Sequence, residues 1–253
     1  MPEQNDSSHG RGIADLRRAL SINRKLGDRY QPSNPFIKND ALQQYCDDCE
    51  AKLNAVFTAE TAFNEARGQR RDAFEGLDSW STQLVSTLKT SGASTEMLKT
   101  GRALIKKIRG ERVSKESAPA RSDSSAEEIR EQISVAQTSF NNRLDHARKL
   151  VALVDTLGNS YQANAASMEA NALKTRLGRL DATNQQVNDL GASYTTLLIE
   201  RDRLFYDAAS GAPARMNAIR DYYQSAFGAS SAERKMLNGL SVRDRSLKRL
   251  NAV

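Results

Sequence analysis

The sequence predicts an all-α protein, an elongated helical bundle made of two tandem repeats of a long-helix hairpin with shorter helices. Composition is the first of three observations behind this. Aromatic residues are 6% of the 253, there are only 5 Pro and 14 Gly, and Ala, Leu, Arg, Ser, Asn and Glu dominate, a bias toward helix. The second is internal self-similarity. A displacement of 131 positions lays Leu26-Gly27 on Leu157-Gly158, Tyr30-Gln31 on Tyr161-Gln162, Ala41-Leu42 on Ala172-Leu173, Val56 on Val187, Arg70 on Arg201 and Phe74 on Phe205. Gly92-Ala93-Ser94 meets Gly228-Ala229-Ser230 at a displacement of 136, so the second copy carries five extra residues, placed most simply around Ser210 to Pro213. The third is a heptad-like apolar seam, described below.

A first helix is expected over about Ile13 to Leu26, closed by Gly27, and its counterpart over about Glu127 to Leu157, closed by Gly158. Glycine just past the last apolar residue suits the left-handed conformation that ends helices. Ser33-Asn34-Pro35 then offers a cap followed by a proline whose missing N–H would have had no partner at that position. The helix it opens runs to about Phe74, roughly 58 Å at 1.5 Å per residue. Along it Leu42, Cys49, Val56 and Phe63 recur every seven residues, with Cys46, Leu53 and Phe74 beside them and Glu60 and Arg67 interrupting. The second copy repeats the seam as Leu173, Leu180, Val187 and Tyr194 with Leu177, Leu198 and Phe205. Shorter helices are expected at Leu77 to Lys89, Thr95 to Ile108, Pro213 to Phe227 and Ser231 to Leu240, the last opened by a capping box of Ser230 and Glu233.

These readings divide the chain into a disordered N-terminus at 1–10, repeat 1 at 11–109, and a stretch at 110–140 comprising a Ser-, Lys- and Arg-rich linker and the start of a helix. Repeat 2 follows at 141–243 and a basic tail at 244–253. The start is polar, without the apolar core of a signal peptide, and no run approaches the ~18 apolar residues of a membrane span, so a cytoplasmic location is expected.

Charge narrows the partners. The net charge is +6, but 31 acidic residues interleave with 37 basic ones. Basic excess gathers at Arg102, Lys106, Lys107, Arg109 and Arg112, extending to Lys115 and Arg121, a candidate polyanion contact weighed against a solvated linker. Arg243, Arg245, Lys248 and Arg249 form a second group. Cys46-Asp47-Asp48-Cys49 has the spacing of a redox pair or half a zinc site. The repeat places these cysteines on Leu177 and Leu180, and no second such pair exists, so core packing is the expected role and no metal or cofactor is expected. Asp145-His146 are adjacent on a helix and point apart, which favours a solvated histidine. No nucleophile elbow, phosphate loop or His-Glu metal motif is present. Arg70 and Arg201 place the same charge on the same point of both seams, either paired structurally or holding an anionic ligand. Trp80, Tyr222, Tyr223 and Phe227 are expected in the core or an interface.

Residues 133–143, the Asn34-Pro35 helix start, the turn from Leu88 to Ser94, and residues 222–230 followed by Gly239-Leu240 resemble a family of duplicated all-helical bacterial proteins with no assigned function. The resemblance covers most of the chain and implies a duplicated helical fold and a bacterial origin, and it implies no activity or site residue. The functional expectation is a non-enzymatic structural or interaction protein that associates with itself or with another protein through helical faces. The alternative is a basic helical binder of nucleic acid or another polyanion.

Overall fold

The computed structural model describes residues 3–110 and 139–243, and among them the chain is helical throughout. Helix α1, Glu3–Leu26, begins well before the expected Ile13. Gly27 follows at φ +56°, and a 3-10 turn at Gly27–Arg29 leads into the connection to α2, Asn39–Phe74. Asn34 is the cap, its side chain accepting from the Phe36 N–H at 3.0 Å, but it opens a 3-10 turn, Pro35–Ile37, and not α2 itself. Lys38, with ψ 147°, breaks the run before α2 starts. The buried Tyr30 hydroxyl donates to the Ile37 carbonyl at 2.8 Å and fastens the connection across its width.

Helices α3, Leu77–Thr90, and α4, Thr95–Arg109, follow. Ser94 caps α4 by accepting from the Met97 N–H, and Gly110, at φ +73°, ends it. The linker beyond Gly110 and the helix start expected from Glu127 lie outside the described residues up to position 138. Helix α5, Phe140–Leu157, is capped by Ser139 and closed by Gly158. Two 3-10 turns, Gly158–Ser160 and Ala166–Met168, precede α6, Ala170–Tyr206, and Tyr161 donates to the Met168 carbonyl at 2.6 Å as Tyr30 does to Ile37. The chain then forms α7, Ala212–Phe227, and the single-turn α8, Ala232–Lys235. The capping box expected at Ser230 is displaced by one residue. Ser231 accepts from the Arg234 N–H, and the Glu233 carboxylate reaches Arg29 instead, at 2.7 Å.

The chain divides into two compact units, one from Met1–Phe63 with Leu190–Val253, the other Asn64–Asp189. They do not coincide with the copies read from the sequence. Each unit joins the front of one copy to the back of the other, and α2 and α6 each contribute residues to both.

The first unit buries Leu16, Leu20, Ile37, Leu42, Cys46, Cys49, Phe205, Met216, Ile219 and Tyr223 in one cluster. The Tyr223 hydroxyl donates to the buried Asn23 side chain at 2.8 Å, giving the ring a polar partner inside apolar surroundings. The second unit is built around Phe74, Leu77, Trp80, Leu84, Leu88, Ile108, Leu144, Leu150, Leu173 and Leu180. Its helix α4 is the most strictly two-faced, with Gly101, Leu104, Ile105 and Ile108 buried. Gly101 allows a close approach, since a Cβ there would lie 3.0 Å from Val85 and 3.7 Å from Leu150.

Candidate interaction surfaces

The two cysteines sit where the repeat suggested, in the apolar cluster of the first unit with 0% and 2% of their surface exposed, and both are free thiols. Burial pushes Cys46 up to about 12 and Cys49 to about 11. Neither is therefore a thiolate at neutral pH, and reactivity belongs to the thiolate. A disulfide-exchange reagent such as dithionitrobenzoate is expected to leave both thiols untouched in the native protein at pH 8 and to titrate both in denaturant. Rapid reaction of either in the native state would contradict the core placement.

The paired seam arginines occupy matching corners with different chemistry. In the second unit the Arg70 guanidinium lies 4.2 Å over the ring of Phe140, and Phe140 meets Phe74 edge-on at 5.0 Å. Arg143 stacks over Phe74 from 5.7 Å and stands 3.6 Å from Asp78. In the first unit the residue displaced by 131 from Phe140 is His9, which meets Phe205 edge-on at 4.8 Å. Here Arg201, 4% exposed, donates from Nε and Nη2 to the carboxylate of Asp202, which also faces the His9 Nε2 at 3.7 Å. Position 143 has its counterpart in Gly12, packed so near Phe205 that a Cβ would come within 2.8 Å of the ring. An identical seam residue thus takes an aromatic partner in one corner and a carboxylate in the other, because position 71 is Arg where 202 is Asp. Beside Phe74 lies an open groove of about 580 Å³ lined by Arg71, Asp72, Glu75, Asp78, Phe140 and Arg143. Three carboxylates and two guanidinium groups line it, which gives an anion no preference.

His146 departs from expectation. Both ring nitrogens are buried and have no hydrogen-bond partner among the described residues, and burial, then Lys107 and Lys149, push its pKa below the ordinary value. Its neighbour Asp145 is exposed and pairs with Lys149 at 2.6 Å.

The structure sorts the basic stretch. Arg102, Lys106 and Arg109 are exposed on α4, Lys107 is half-buried near His146, and Arg112 lies outside the described residues. Lys99, which the sequence reading did not single out, joins the exposed group, so that Lys99, Arg102, Lys106 and Arg109 follow one another at steps of three, four and three residues. Those steps keep them on one helix face.

A second surface was also missed. In the first unit α2 and α6 run antiparallel, with Tyr45 bonded to the Leu204 carbonyl, Lys52 paired with Glu200 at 2.9 Å and Phe63 stacked on Tyr194 at 6.0 Å. Between the last two rungs Phe57 is 68% exposed and Ile199 is 49% exposed, flanked by half-buried Leu53, Leu197 and Leu198. The 21 residues of 53–63 and 190–199 hold one charged side chain, Glu60, where the chain's 27% would put five or six. The clue in the sequence is this charge gap, together with a phenylalanine one position off the seam.

Among the described residues no helix is long and apolar enough to cross a membrane, and no group of three or more His, Cys, Asp or Glu side chains could hold a metal. Comparison with protein-family models, with curated proteins and with solved structures finds no match. The resemblance described above rests on those sequence segments alone.

Proposed function

We propose that this chain is a non-enzymatic structural or interaction protein, a duplicated helical unit that associates with a second copy of itself through the charge-poor face of α2 and α6. The carrying observation is that face. Isolated exposed apolar residues are ordinary, but exposed Phe57 and Ile199 on a stretch nearly without charge match the makeup of an interface core, where charged residues are depleted and aromatics enriched. Charge also favours self-association there. With a net charge of +6, copies repel over most of their surface, and a neutral face is where two can meet without like-charge cost. The duplication reading is supported by element order, since helix, two 3-10 turns, long helix and two further helices occur twice in the same sequence.

The test is molecular mass by sedimentation equilibrium across concentration and salt. Association through apolar burial is expected to persist or strengthen as salt rises. Replacing Phe57 and Ile199 together by serine is expected to weaken it about a hundredfold, equivalent to roughly 2.7 kcal/mol. A wild-type chain that stays monomeric at millimolar concentration, or a double variant that associates as tightly as wild type, would overturn the reading.

A further inference from the structure

We infer that the exposed face of α4 is a docking surface for the phosphate backbone of nucleic acid, carried by Lys99, Arg102, Lys106 and Arg109. This is independent of self-association through α2 and α6. The four side chains form a single row roughly 15 Å long on a helix whose opposite face is buried. Arg109 also donates to the Thr82 hydroxyl at 3.0 Å, which fixes the end of the row against α3. Lys99, Arg102 and Lys106 have no carboxylate within ion-pair distance among the described residues, whereas Lys52, Arg148 and Lys174 each have one and Arg17 has two. Among the described residues, then, no ion pair neutralises their charge.

Helix-dipole compensation accounts for cations in the last turn, Lys106, Lys107 and Arg109. It does not account for Lys99 and Arg102, which stand before that turn. A lipid surface would call for apolar side chains beside the cations, to be buried below the headgroups. The exposed residues between the row's members are only Thr100 and Ala103, so no large apolar side chain stands exposed beside the cations. A straight row of cations, of which Lys99, Arg102 and Lys106 have no ion pair among the described residues, fits a linear, densely charged partner, and duplex DNA carries about one charge per 1.7 Å of axis. With no side-chain amide or aromatic group in the row to read base edges, binding is to the backbone and indifferent to sequence.

The experiment is fluorescence anisotropy of a labelled duplex oligonucleotide titrated with the full chain between about 50 and 200 mM salt. Four neutralised phosphates give a slope of log affinity against log salt of about −3.6. The set Lys99→Glu, Arg102→Glu and Lys106→Glu is expected to reduce the slope to about −1 and to weaken binding at least a hundredfold. A control set with the same net charge, Arg18→Glu, Lys25→Glu and Lys235→Glu, alters exposed residues of the other unit and is expected to bind within about fivefold of wild type. Helix content by circular dichroism is followed in parallel. Should the glutamate set lose helix, the set Lys99→Gln, Arg102→Gln and Lys106→Gln, nearly neutral in helix propensity, takes its place and is expected to show the same flattened slope. Equal loss in the α4 and control sets would overturn the inference by showing that net charge alone matters. So would a wild-type chain that ignores the duplex at low salt, including one that binds phosphatidylserine vesicles instead.

Discussion

Gly211→Ala is expected to cost about 3 kcal/mol of stability, the upper end of what forcing one extra carbon into a packed site does. The backbone there has φ −70°, so the barrier is one of space and not of handedness. A Cβ would lie 2.5 Å from the Asp207 carbonyl oxygen, 2.6 Å from its nitrogen and 2.7 Å from the Phe205 carbonyl oxygen. All three are main-chain atoms, which cannot swing aside. The turn is fixed from the other direction too, because the Asp207 carboxylate accepts from the Ala209 and Ser210 N–H groups at 3.1 and 2.7 Å, and the Gly211 N–H donates to the Asp207 carbonyl. Gly178→Ala supplies the contrast. It sits inside α6 with nothing within 4 Å of an added Cβ, and alanine there is expected to add roughly 0.5–1 kcal/mol through helix propensity. Urea denaturation followed by circular dichroism measures both. Equal midpoints for the two variants would show that the turn at Gly211 relaxes freely.

Trp80→Ala is expected to destabilise the second unit by about 3–5 kcal/mol. Trp80 is 3% exposed, in the cluster with Phe74, Leu77, Leu84, Leu173 and Leu180, and the Arg176 guanidinium rests 5.2 Å over its ring while donating to the Glu75 carbonyl. Truncation opens a cavity and also removes the aromatic support of a partly buried cation, whose pKa burial and Arg179 already push down. Trp80→Phe keeps a ring there and is expected to cost less than half as much. As the chain's one tryptophan, Trp80 also provides a native fluorescence signal for the second unit of the wild-type protein. A Trp80→Ala midpoint equal to wild type would contradict its place in the core.

Helix ends were the most legible part of the fold. Gly27, Gly110 and Gly158 end helices at positive φ because nothing larger enters that region without cost, and Gly27 and Gly158 are legible in the sequence as glycines after apolar periodicity. The start of α1 was not legible, because residues 3–10 are polar and small and carry no periodic signal. Which copy's back half completes which front half was hidden for a different reason. Seams as similar as Leu42, Cys49, Val56 and Phe63 and Leu173, Leu180, Val187 and Tyr194 can fit one another within a copy or across copies, so the apolar pattern alone does not choose. The candidate surfaces divide in the same way. Arg102, Lys106 and Arg109 stood out by composition, but separating Lys107 from them and adding Lys99 required knowing which face α4 buries. Arg70 and Arg201 were found by alignment of the copies, and their unlike partners follow from neighbours at 71, 202, 9 and 140 that the alignment does not match.

The crossed makeup of the two units sets an order in time as the chain is synthesised. Everything the second unit needs lies between Asn64 and Asp189, so its contacts are available once that stretch has left the ribosome. The first unit pairs Tyr223 with Asn23 and Ser241 with Asp15, partners separated by 200 and 226 positions. Contacts that far apart close late and raise the contact order, which slows folding. Until residue 190 and beyond emerge, Leu16, Leu42 and Cys46 on α1 and the front of α2 lack the C-terminal part of their cluster, among it Phe205, Met216, Ile219 and Tyr223. In a nascent chain, α1 and the front of α2 are made before the second unit and sheltered after it.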